Sequence, residues 1–499
     1  MSYPLQQRLF GFSDDRNSLD SDSLSNKYSC KLNPYDNYLS YSSATATNVQ
    51  LGQFNYLNTL LQQLEDCGGS TIDMWQHLRD RIRSIFDLDD DVDIIFGSSG
   101  TDIEMIATLY GISTNKKCAN IVSLPEEIGS GSRHASKLSH FCNYDNHGTS
   151  VAKGARLSGF ESVDLFSYTS GTKINSLNSQ ICNENELLSL VSELIQDDYH
   201  VQIHLIYGSK LGRVYPSLSV VNLLEQRYPG KIDVIVDACQ FRLNHQCINE
   251  WLSMGRIILL SGSKFFEGVT FSGIMLLPAI MRDRINDYKS ALPDSLNQYF
   301  SRVCFPTRLT KFDSIHHSPN HDSLFLRLES FMYNAERFAG IKQHRLTEVI
   351  NLFCKRCDSL FKNNSQLICK KVNMQFSHSY ENDILLSTIF PFILFYKGRP
   401  LSQEECRKIY SLLMTDISPH LDNNDSEFKQ ILSLNIHLCQ PVTFEYNNSS
   451  QTAMRIALGA NSLIDLSGCI SSKIQDKLNS DISKIEMKML FIIDKILKI

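Results

Sequence analysis

The chain has 499 residues, enough to bury a sizeable core, and its 42% hydrophobic and 20% charged residues are those of a folded globular protein rather than a disordered one. A net charge of -6, from 48 basic against 54 acidic side chains with no arginine-rich run, argues against a nucleic-acid binder. The most apolar stretch, Thr388–Tyr396, is too short to span a bilayer, the start has no basic segment followed by an apolar core, and the 14 cysteines show no framework spacing, so a cytoplasmic chain with reduced thiols and no membrane association is expected.

In chain order, residues 1–30 are rich in Ser, Asp and Asn and predict a mobile N-terminal arm. A small-residue segment, Tyr38–Thr45, follows, and then helical periodicity from Phe54 to Phe86, interrupted at Cys67-Gly68-Gly69-Ser70. The acidic run Asp87–Asp91 lacks the Gly and Glu of a calcium loop and reads as a solvated turn, and no metal site is expected. Asp93–Phe96 predicts a strand, with Gly97-Ser98-Ser99-Gly100-Thr101 leading into a helix. Small residues at that junction leave amide N–H groups free at the positive end of the helix dipole, which suits a phosphate.

Further strands are predicted at Asn120–Leu124, Val163–Ser167 and Val201–Tyr207, with a polar insertion at 136–160. An amphipathic helix through Leu187, Val191 and Leu194 precedes the last of these strands, and a helix over Pro216–Tyr228 follows it. The apolar run Ile232–Val236 stops on Asp237, and Ile257–Leu260 stops on Ser261-Gly262-Ser263-Lys264. Continuous apolar runs of this length suit strands covered on both faces of a parallel sheet, whose carboxyl ends gather ligand groups. An acid and an amine are therefore expected to face one crevice. Together the alternating elements predict an α/β fold with a mostly parallel sheet and crossover helices, plus a smaller α+β C-terminal domain.

A lysine that loses its proton condenses with an aldehyde, while a carboxylate facing a pyridine nitrogen keeps that nitrogen protonated. Pyridoxal 5'-phosphate needs both. Asp237-Ala238-Cys239-Gln240, followed by Ser261-Gly262-Ser263-Lys264 and a Gly-rich run, resembles the cofactor core of fold-type I pyridoxal-phosphate-dependent enzymes, closest to the class V aminotransferase and cysteine desulfurase group. The resemblance implies that Lys264 forms the Schiff base and moves protons, that Asp237 pairs with the ring nitrogen, and that Gln240 approaches the ring hydroxyl. It also implies a phosphate seat at Ser99, Gly100 and Thr101, helped by Ser261 or Ser263. Ser209 stands in for a polar residue near the ring hydroxyl. Where the group carries a ring-stacking histidine, this chain has Glu127, and His134 is the nearest histidine; both are candidates. Met454-Arg455-Ile456 resembles the late motif whose arginine holds the substrate carboxylate.

The domains implied are an arm (1–30), a large cofactor-binding domain (31–320), connecting helices (321–363), a small C-terminal domain (364–465) and a C-terminal helix (466–499) whose apolar stripe begins at Ile474. The function implied is that of an aminotransferase acting on an amino acid or related amine, as a homodimer. A lyase or desulfurase is the alternative of the same class, with Cys304, Cys354, Cys369 and Cys406 as its cysteines, and a catalytically silent interaction protein of the same fold is the alternative of another class.

Overall fold

The computed structural model describes residues 5–497 apart from 21–24, 32–33, 35–36, 124–126, 161–162, 169–179, 182–183, 319–320, 363, 373–383, 422–424 and 447–448. Residue 124 at the end of one expected strand, residue 363 at the end of the connecting helices and the last two residues therefore lie outside the described residues.

The larger of two sheets has strands in the order Asp93–Gly97, Gly273–Leu277, Ile257–Ser261, Ile232–Asp237, Tyr199–Tyr207, Lys117–Ser123, Asp164–Tyr168 and Gln180–Ile181, with Val214–Tyr215 paired to the fifth. Along that order every pairing is parallel except the two made by Gly273–Leu277. Ile94, Ile95, Phe96 and Ile257 to Leu260 are wholly inaccessible to solvent, as strands covered on both faces must be. The antiparallel strand follows from its connection: residues 262–272 hold no helix, and a parallel return needs a crossover of about a dozen residues or more, usually helical. Gly273 is required where this strand meets the first turn, because a Cβ there would run into the backbone of Ser99.

Ile235 to Asp237 register against Ile257 to Leu259, so the strand ending on Asp237 and the strand leading to Lys264 are hydrogen-bonded neighbours. The helix Gly100–Ile112 packs beneath them with almost its whole surface buried.

The second sheet runs Tyr38–Tyr41, Asn435–Tyr446, Ser449–Ala457, Ile389–Tyr396, Leu367–Lys371, with Arg399–Pro400 on the edge. Its helix Gln403–Leu413 starts at the capping box read from the sequence, Ser402 and Glu405 exchanging side-chain to backbone bonds. Tyr38–Tyr41, assigned by sequence to the large domain, is parallel to Asn435–Tyr446 and belongs to this sheet. Four residues of mixed polarity specify no partner by themselves. The C-terminal stripe is core: Ile474, Leu478, Ile482, Ile485 and Met489 of helix Ser471–Phe491 are buried within the chain, and among the described residues no helix is long and apolar enough to cross a membrane.

The N-terminal segment also departs from expectation. Instead of a mobile arm, its described residues form a short helix, Leu5–Leu9, and a turn, Asp15–Asn17, with Leu9, Phe12, Asp14 and Asn17 buried. Arg327, inaccessible on helix Asp322–Ala339, donates to the carbonyls of Leu9, Gly11, Phe12 and Phe271 at 2.6–2.9 Å. Asn17 and Asn26 reach Thr270, and Ser98 Oγ donates to the Phe12 carbonyl. Charge-assisted bonds to a residue some three hundred positions away hold the segment, and composition carries no trace of them.

Candidate active site

A cavity of about 350 Å³ opens at the carboxyl ends of the central strands. Ser99, Gly100, Thr101, Glu127, Ser209, Asp237, Gln240, Ser261, Lys264 and Arg455, all named from the sequence, line it, together with Arg16, Tyr28 and Glu104, which were not.

Each side chain is placed by the strand or turn that carries it. Asp237 ends its strand; its Oδ1 accepts the Cys239 N–H at 3.1 Å, and the Ala238 N–H is tied to the Leu259 carbonyl. Lys264 follows the neighbouring strand in a turn closed by bonds from the Glu267 N–H to its carbonyl and from the Gly268 N–H to the Gly262 carbonyl. Both side chains are half-buried. Among the described residues they form no ion pair with each other or with a third group, although burial near an opposite charge favours one. Two opposite charges that face one cavity without closing on each other leave room for a ligand between them.

Ser99 is the N-cap of helix Gly100–Ile112, its Oγ accepting from the Thr101 and Asp102 N–H groups and donating to Asp102 Oδ2 at 2.5 Å. Gln240 is fixed by an Nε2 bond to the Ala44 carbonyl and by Arg242 Nη1 on its Oε1. Ser209 Oγ accepts from the Leu211 and Arg213 N–H groups and so shapes the turn after Tyr207, where Gly208 takes a φ of 82°. Ser263 does not line the cavity; its Oγ lies 3.1 Å from that of Ser261, which does.

Arg455 donates to the Gln440 and Lys210 carbonyls and to Thr45 Oγ1, and among the described residues it meets no carboxylate. Glu127 lines the wall with Oε1 on Arg213 Nη1 at 2.9 Å. His134 is displaced from the site: it sits half-buried on the short helix Ser132–Ala135, near Gly154 rather than on the cavity wall.

Beneath Asp237 lies a pair that periodicity hid. Glu104 Oε1 is 3.2 Å from His204 Nε2 and accepts from Ser136 Oγ at 2.9 Å. Burial, then the Asp237 charge, push Glu104 up to about 8, and burial pushes His204 down to about 3. Burial thus shifts both members of the contact toward their neutral forms. A charged residue inside Ile103–Ile106, and a histidine inside a strand of apolar residues, were the sequence signals for it.

A carboxyl whose folded pKa of about 8 exceeds its ordinary 4.5 is protonated in the fold and ionised in the unfolded chain between those values, so stability falls as pH rises through that window. Glu104→Gln keeps the shape and removes the titration. Thermal melts should place its midpoint roughly 3 °C or more above wild type near pH 9, with the difference vanishing near pH 5. A gap independent of pH would show that Glu104 is ionised in the fold.

No protein-family model matches the sequence, and no curated protein matches it. Solved structures do match its fold. The ureidoglycine-glyoxylate aminotransferase of Bacillus subtilis superposes with a TM-score of 0.50 at 11% identity, covering 92% of this chain and 98% of that one. The fold is that of the fold-type I pyridoxal-phosphate-dependent enzymes. The cysteine desulfurase CsdA of Escherichia coli (TM-score 0.49, 12% identity, 90% and 94% covered) and the Oryza sativa TDC solved with PLP and tryptamine (0.46, 10%, 91% and 84%) are also similar.

For this fold, the cavity is a fair match to its cofactor. It offers an amine and an acid held apart on neighbouring strand ends, and hydroxyls with a guanidinium at the N-terminus of helix Gly100–Ile112. The approach of Cys239 Sγ to Gly100, 2.9 Å from where a Cβ would stand, keeps that end narrow.

Proposed function

We propose that the chain is a pyridoxal-phosphate-dependent enzyme that acts on an amino acid or related amine, with transamination as its reaction. The observation that carries the reading is the unpaired approach of Lys264 and Asp237 to one cavity on adjacent strands. Pyridoxal phosphate bound there supplies an aldehyde that captures amines and a pyridine ring that draws electrons from the substrate carbon.

Lys264 Nζ would hold the cofactor and would move the proton of the substrate α-carbon. Asp237 keeps a proton on the ring nitrogen. Ser99, Gly100 and Thr101 seat the phosphate with Ser261, which Ser263 orients, and Gln240 and Ser209 face the ring hydroxyl. Glu127, steadied by Arg213, flanks the ring. Arg455, buried without an acidic partner among the described residues and held by the Gln440 and Lys210 carbonyls and Thr45 Oγ1, supplies the positive charge that faces the substrate carboxylate. The same reading includes a cytoplasmic homodimer with a large and a small domain.

Desulfuration needs a thiol that reaches the substrate. Cys304, Cys369 and Cys406 are pushed up to about 12 by burial, Cys354 is also raised by burial, and none of the four lines the cavity. Cys239, which does line the cavity, is held well above the ordinary thiol range by burial and then by the Asp237 charge, so no activated thiol stands on the wall among the described residues, and this favours amino transfer over sulfur removal.

The test is to incubate the purified chain with pyridoxal 5'-phosphate, reduce it with borohydride and map the modified peptide. An adduct on Lys264 is expected, and amino acids should then yield 2-oxo acids rather than sulfide or carbon dioxide. A chain that takes up no cofactor would instead be an interaction protein on this fold.

A further inference from the structure

Arg16 lies in the segment that composition marked as loose, yet its guanidinium reaches the proposed phosphate seat. Nη2 donates to Ser99 Oγ at 3.0 Å and Nη1 points to Thr101 Oγ1 at 3.4 Å, the two hydroxyls assigned to the phosphate. The opposite edge, Nε and Nη2, is held bidentately by Asp14 at 2.7 and 2.5 Å. Phe271 and Phe141 lie under the guanidinium, 4.8 and 5.5 Å from its carbon to their ring centres. Its side chain is only 14% exposed, and it lines the cavity.

A planar cation fixed along one edge and presenting the other to two hydroxyls is built to meet an oxyanion. The Ser99 hydroxyl donates to Asp102 and the Thr101 and Asp102 N–H groups bond to Ser99 Oγ, so the turn by itself supplies no full positive charge. Among the described residues the other cations on the cavity wall include Lys264, which follows the neighbouring strand, and Arg455, whose guanidinium is turned to the Gln440 and Lys210 carbonyls and to Thr45. The aim of Arg16 does not depend on its own flexible stem. Asp14 is buried, and the segment that carries both residues is anchored by Arg327 and by the bonds from Asn17 and Asn26 to Thr270.

We propose that Arg16 is the cationic phosphate ligand of the cofactor site, so that the chain's own N-terminal segment, and not only the Ser99–Thr101 turn, confers selectivity for a phosphorylated over an unphosphorylated pyridoxal. The proposal rests on the cofactor reading above. Asp102 is buried beside the proposed phosphate seat, accepting from Ser99 and Asn146, and burial with the Asp14 charge adding pushes it up to about 6.

Dissociation constants for pyridoxal 5'-phosphate and for pyridoxal, read by protein fluorescence, separate the two claims. Arg16→Gln should weaken the phosphorylated ligand about 30-fold or more and leave pyridoxal within about twofold, and Arg16→Lys should fall between, since it keeps the charge without the fork. Inorganic phosphate should raise the melting temperature of the wild-type apoprotein and not that of Arg16→Gln. Equal weakening of both ligands, or none, overturns the role of Arg16 while leaving the cofactor reading intact. A wild-type chain that binds neither ligand overturns both. If Arg16→Gln does not fold, the Lys variant decides: unchanged preference for the phosphorylated ligand sinks the proposal.

Discussion

Replacing Lys264 with alanine is expected to abolish the covalent uptake of pyridoxal phosphate and to lower amino-transfer activity by about 10³-fold or more, the usual scale for loss of a proton-moving group, with the loss of the covalent link added to it. The fold should survive. Lys264 is half-buried and makes no side-chain ion pair among the described residues, and its turn is closed by backbone bonds that alanine keeps. The protein should therefore melt at close to the wild-type temperature while losing the visible absorption that the cofactor brings. A Lys264→Ala chain that still traps cofactor on borohydride treatment would move the covalent role to another amine, and Lys27 and Lys210 are the cavity lysines to map next.

Asp237→Asn is expected to act on rate rather than on uptake. The amide oxygen can still accept the Cys239 N–H that Asp237 Oδ1 accepts at 3.1 Å, so the strand end keeps its shape. What disappears is the negative charge that the proposed function sets against the ring nitrogen, and removing one such preorganised electrostatic contact lowers turnover by about 10²–10³-fold. Exchange of the substrate α-proton with deuterated water, followed by NMR, measures that step without requiring the natural acceptor. A variant that exchanges at the wild-type rate would mean that the charge is not used. In that case Glu104, the buried acid beneath it, would be the group to examine.

How far these residues could be read in advance depended on how local their causes are. The strands ending on Asp237 and Ser261 were legible because short, unbroken, β-branched apolar runs bounded by polar or glycine residues suit burial on both faces of a sheet, and they stop where the backbone must leave the core. The Ser99 turn was legible for a similar reason, small residues between a strand and a helix. The capping box at Ser402 is as local as a signal can be. Arg16 was not legible: its position depends on Arg327 and on Asn17 meeting Thr270, contacts between segments that share no periodicity. His134 was misplaced because a turn decides which way a side chain leaves the strand end, and turns in polar loops carry little pattern. Glu104 and His204 were readable only as anomalies, polar residues in apolar runs, and which partner would satisfy each could not be told.

The sequence by itself determined the alternation of strands and helices, the acid at one strand end and the amine just beyond its neighbour, and the small-residue turn at Ser99, since each depends on residues adjacent along the chain. Only the tertiary structure decided that Gly273–Leu277 runs antiparallel, that Tyr38–Tyr41 joins the C-terminal sheet, and that the N-terminal segment closes the wall with Arg16. These depend on which distant surfaces bury best against each other and on where a buried arginine finds carbonyls to satisfy it. Neither is encoded in any one stretch of the chain.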